Sequence, residues 1–136
     1  MNAIVTEHNT FQSDQPFYVY IFTNARCGPY RIGIAAGIKA IDNQRSKYRR
    51  ESCGVNPPEP RDIFLSVWYE ECINEFAAQK RADEISLMPY PWQRRLIESL
   101  NPQWLDYSGL GMGLPHDWLY VVPEIAGMPF RKLSEL

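Results

Sequence analysis

Side chains able to do chemistry gather in three places. Tyr18, Tyr20 and Tyr30 lie close together, with Arg31 next to the last. In a run of large apolar residues such tyrosines serve as core aromatics as readily as reagents. Lys39, Arg45, Lys47, Arg49 and Arg50 form a basic stretch, readable as a phosphate-facing patch or as a solvated helix face. Glu75 and Glu84 follow further on, and a hard divalent cation takes oxygen ligands of that kind. His8 and His116 stand without a second ligand at metal spacing and read as surface histidines. Gly109, Gly111 and Gly113 lack the preceding strand and following helix of a phosphate loop, and read as a hinge. The four tryptophans and eight tyrosines could stack on unpaired bases, but most are more simply core.

Composition narrows the classes. With 136 residues, 45% hydrophobic, the chain suits one domain with a proper core. A net charge of -2, from 14 Lys and Arg against 16 Asp and Glu, gives no global pull toward nucleic acid, so a phosphate-binding role would need a local basic face. Cys27, Cys53 and Cys72 are odd in number with no C-x-x-C spacing, which favours idle thiols in a reducing cytosol over a disulfide framework or zinc site. No basic region followed by an apolar core opens the chain, and no run of about 18 apolar residues occurs. The expectation is a cytoplasmic protein with no membrane partner.

The elements that must position these groups follow from periodicity. Phe17 to Phe22 is apolar at every position, which suits a central strand covered on both faces. Thr23 to Gly28 supplies a turn, and Tyr30 to Ala36 a second strand ending in small residues. Ile38, Ile41, Arg45 and Tyr48 mark one face of a first helix over Gly37–Tyr48, and Ile63 to Tyr69 reads as a third strand. A second helix spans Asn74 to Met88, capped by Asn74, with Ala78, Ala82 and Ile85 on its buried stripe. Pro91 opens a third helix whose inner face is Trp92, Leu96 and Leu100, and Asn101-Pro102 ends it. The fold class expected is α+β: a three-stranded, largely antiparallel sheet flanked by three helices. Residues 1–16 form an arm, 17–108 the domain, and 109–136 an extension packed on it as an extra strand or strap.

Tyr18-Val19-Tyr20 followed by Tyr30-Arg31-Ile32-Gly33 resembles the paired motifs that name the GIY-YIG nuclease family. Leu96-Ile97-Glu98-Ser99-Leu100-Asn101-Pro102-Gln103-Trp104 is similar to the closing segment of its small stand-alone bacterial members, which are related to the nuclease half of the excision-repair enzyme. Val67-Trp68-Tyr69-Glu70-Glu71 looks like their third strand. The resemblance implies metal-dependent cleavage of phosphodiesters. The first-motif tyrosine, with the second nearby, serves the proton transfer that activates water; a first-helix arginine balances phosphate charge, and a second-helix glutamate holds the cation.

Carried over residue by residue, the resemblance keeps Tyr20 and Asn101. The second tyrosine falls on Arg31, so Tyr30 comes one residue early and points to the opposite face. The arginine, eight residues past Gly33, falls on Ile41, and the metal-binding glutamate on Gln79. An isoleucine offers a phosphate nothing, and a neutral amide holds magnesium poorly. Arg31, Lys39 or Arg45 could supply the missing cation, and Glu75, four residues before Gln79, is better placed than Glu84, five after, to reach a metal. The expectation is a domain with lost or weakened cleavage, binding DNA through Lys39, Arg45, Lys47, Arg49 and Arg50, or binding a protein through its termini. The alternative is an active endonuclease using Mg2+ or Mn2+ and acting on DNA.

Overall fold

A computed structural model of the chain describes residues 16–44, 65–108 and 115–136. Strands β1 (Phe17–Thr23), β2 (Arg31–Ala35) and β3 (Leu65–Cys72) form an antiparallel sheet in the order β2-β1-β3. The fold is thus α+β, with the all-apolar strand in the centre. Alternation sends Val19 and Ile21 to one face and Tyr20 and Phe22 to the other, and all four are buried. A register shift between Ile21 and Phe22 aligns Ile21 with Trp68 but Phe22 with Ser66, leaving Val67 as an inserted residue on β3. β3 runs past Tyr69, because Glu70, Glu71 and Cys72 continue the ladder opposite Val19, Tyr18 and Phe17. Residues 63 and 64 lie outside the described part.

Thr23 fixes the β1–β2 turn. Its hydroxyl lies 2.8 Å from both the Ala25 and Pro29 carbonyls and accepts from the Ala25 amide. Gly37, at φ 114°, then turns the chain into helix α1, described over residues 38–44. Helix α2 (Glu75–Ser86) is capped by Asn74, whose side chain accepts from the Ala77 amide at 2.9 Å. Its Ala78, Ala82 and Ile85 stripe packs on the Val19 and Ile21 face.

In helix α3 (Tyr90–Leu100) only Leu96 of the expected Trp92, Leu96 and Leu100 stripe packs, partly buried, against the main core. Gln93 and Ile97 are its buried residues, while Trp92 is 58% and Leu100 61% exposed. The cause is a polar tie. Gln93 Nε2 donates to the Ile85 carbonyl at 2.8 Å, which satisfies the end of α2 and rotates Ile97 into the core. Trp92 is left outside under the Arg95 guanidinium.

After Ser108 and the residues outside the description, the tail returns as a strap. Strands β4 (Tyr120–Val121) and β5 (Arg131–Lys132) pair antiparallel, Val121 bridges Leu105, and Val122 enters the main core. No helix among the described residues is long and apolar enough to cross a membrane. Asn101 ties these layers together. At 1% exposure, its amide nitrogen donates to the Val67 and Leu105 carbonyls and its oxygen accepts from the Leu105 amide, all within 2.9–3.0 Å. Asn101→Ala orphans three buried backbone groups, so urea unfolding should show a loss of about 3 kcal/mol with an unchanged m-value. A change within experimental error would mean that these bonds contribute nothing.

Candidate functional site

Tyr20, the tyrosine that the resemblance singles out, defines the candidate site. It is 2% exposed, with its ring stacked on Phe22 at 4.3 Å between centroids and Ala35 and Ile41 completing the buried cluster. Opposite it on β2 stands Gly33, and a Cβ there would collide with the Tyr20 hydroxyl and Cζ. The glycine of Tyr30-Arg31-Ile32-Gly33 therefore has a packing reason: only a bare Cα lets the phenol lie across β2.

The other motif residues divide between the two sheet faces. Arg31 pairs with Phe22, so it leaves the sheet on the Tyr20 side, where it is exposed. Tyr30 belongs to the opposite cluster, stacked on Tyr90 at 4.6 Å and 7° between planes, its hydroxyl donating to the Arg26 carbonyl at 2.6 Å. Burial, then the Tyr90 hydroxyl, pushes the Tyr30 phenol well above its ordinary value, so it stays protonated at neutral pH. Ile41, at the position where the resemblance calls for an arginine, is 3% exposed and packs with Tyr20. Asn101 sits in the interior as a backbone staple, with its amide hydrogens and oxygen engaged as described. Lys39 is exposed on α1; Arg45, Lys47, Arg49 and Arg50 lie outside the described residues.

The donors for a divalent ion sit elsewhere. Gln79 is exposed on α2 and donates its amide to the Asp83 carboxylate at 3.0 Å. Glu75 is also exposed, and Glu84 lies 3.5 Å from Arg81. α2 meets the sheet on the Val19 and Ile21 face, across the sheet from Tyr20. Among the described residues no three His, Cys, Asp or Glu side chains come together as a cation site. Gln79, Glu75 and Glu84, the residues the resemblance offers to a divalent ion, are therefore not beside Tyr20.

A second constellation escaped the sequence reading. Trp104, at φ 55°, is buried between the guanidinium groups of Arg94, 5.5 Å from its ring centre, and Arg26, 5.9 Å away. Glu98 accepts from the Trp104 indole at 2.9 Å and from Arg94 at 3.3 Å, and these bonds hold its carboxyl below the usual range. Glu124, from the strap, grips Arg94 through two bonds of 3.3 Å. Arg26 donates to the Val122 carbonyl at 3.1 Å. The positive φ at a bulky residue has no signal in the sequence.

Comparison with protein-family models, with curated proteins and with solved structures found no match for this chain.

Gly33→Ala should cost about 1–3 kcal/mol by forcing the Tyr20 ring aside. Urea unfolding of a double-mutant cycle checks the cause, because most of that cost should vanish in a Tyr20→Ala background. Additive losses would place the strain elsewhere.

Proposed function

We propose that this chain is a GIY-YIG-like domain that binds its partner without cutting it. The observation supporting this is the burial of Ile41 against Tyr20. Where the resemblance asks for a guanidinium beside a reactive phenol, this chain has hydrocarbon sealed against an aromatic ring. A transition state with growing phosphoryl charge gains nothing there. Each missing electrostatic group is worth about 3–4 kcal/mol, so losing clamp and metal together lowers cleavage by several orders of magnitude. What remains for DNA is Lys39, exposed on α1, and the basic stretch from Arg45 to Arg50 that follows it in sequence, and for a protein the strap.

The cutting alternative draws its support from Arg31, which shares the sheet face of Tyr20 and brings a guanidinium to it. One experiment separates the readings. Supercoiled and four-way-junction DNA, incubated with the protein and Mg2+ or Mn2+, should stay intact. The junction should be retarded in a gel at low salt, released as salt rises, and not retarded by a Lys47→Glu, Arg49→Glu, Arg50→Glu variant. Cleavage that disappears in Tyr20→Phe would overturn the non-cutting reading. Intact DNA that is never retarded would move the partner from nucleic acid to protein.

A further inference from the structure

Between α1 and the sheet lies a cavity of about 30 Å³ on the Tyr20 side, with Asp42, Tyr69, Tyr107 and Ser108 among its walls. Ile38, Ile41 and Asp42 follow at helical spacing, so one face of α1 supplies both the apolar floor and the carboxylate. Tyr69 is 36% exposed and meets Tyr107 and Tyr18 edge-on, each at 6.0 Å between ring centres. Burial, then Tyr69, holds the Tyr107 phenol above its ordinary value and hence uncharged at neutral pH. Asp42 is therefore the one formal charge in the lining. It forms no ion pair with any described residue.

Two further carboxylates stand near the cavity. Asp106 stands behind the cavity wall, accepting from the Ser66 and Ser108 amides and the Ser108 hydroxyl. Glu71 lies beside Tyr18 at the outer end of the same aromatic row, raising that phenol after burial has done so. A phosphate entering here meets the Asp42 carboxylate and no guanidinium from the lining. A cation meets a carboxylate and the rings of two tyrosines, the combination that attracts ammonium groups. The space suits about two waters, so it admits the end of an alkylammonium chain and excludes a nucleotide.

We propose that this cavity receives the ammonium end of a lysine side chain from a partner protein, with Asp42 as counter-ion and Tyr69 and Tyr107 as its aromatic walls. The cavity stands whether or not the chain is GIY-YIG-like, and whether or not its basic stretch holds DNA.

Titration of the 15N-labelled full chain with acetyl-Gly-Lys-Gly-amide, at constant ionic strength, tests it by amide chemical shifts. Saturable shifts should be confined to the neighbourhoods of Asp42, Ser66, Tyr69 and Tyr107. Affinity should fall about ten-fold in Asp42→Asn, the worth of one charged hydrogen bond. Tyr69→Leu should weaken it as well, and the peptide carrying Nε-acetyl-lysine should give no saturation. Dispersed spectra of each variant show that it remains folded. Equal binding of the acetylated peptide, undiminished binding by Asp42→Asn, or shifts confined elsewhere would overturn the proposal. So would saturation by n-butylammonium chloride when the peptide does not bind, since the occupant would then be a free amine.

Discussion

Because every residue of β1 from Phe17 to Phe22 is apolar, the central strand has to be covered on both faces, and each face recruits a different part of the chain. Val19 and Ile21 collect α2, α3, Trp104 and Val122, the larger of the two cores. Tyr20 and Phe22 take Ala35 and Ile41, a smaller and more aromatic cluster. The second face is the one on which the resemblance puts chemistry. Its demand for hydrocarbon cover is met by Ile41, at the position where the resemblance asks for an arginine. Gly33 follows from the same constraint, since the Tyr20 ring crosses β2 only where no side chain intervenes.

The closing segment, whose sequence carries the most specific part of the resemblance, has an architectural task. Asn101 completes the hydrogen bonding of β3 and of the chain leaving α3, and Glu98 binds the Trp104 indole. Trp104 stands in a left-handed conformation that costs about 1–2 kcal/mol. Two guanidinium contacts of about 0.5–2 kcal/mol each offset that cost. Arg94 and Arg26 then reach Glu124 and Val122, so the knot that ends the domain is also the anchor of the strap. Asn101, Glu98 and Trp104 thus each have a structural task in this segment.

Local signals were legible and distant ones were not. The central place of β1, the β1–β2 pairing, the Asn74 cap and the Ala78, Ala82 and Ile85 stripe each follow from a period or a cap within a dozen residues. Strand alternation likewise separated Tyr30 from Tyr20. The inner face of α3 was not legible. Trp92, Leu96 and Leu100 make as regular an apolar stripe as a buried helix has, yet only Leu96 packs on the core, and the bond from Gln93 to Ile85 on another helix turns Trp92 and Leu100 out. Within the candidate site, counting along the chain located Ile41 but could not reveal that Asp42, one residue on, turns toward Tyr69 and Tyr107. The arginine, tryptophan and glutamate knot joins Arg26, Arg94, Trp104 and Glu124, separated by too much chain for any periodic signal to link them.

The central claim is that the Tyr20 ring is part of the interior, held against Gly33 and Ile41. A 13C-edited nuclear Overhauser experiment with the Tyr20 ring assigned tests it most directly. Strong cross-peaks from the Tyr20 ring to the Gly33 α-protons and the Ile41 methyls, with none to bulk water, are the result predicted. A Tyr20 ring that cross-relaxes with water and shows no contact to Ile41 would contradict the account.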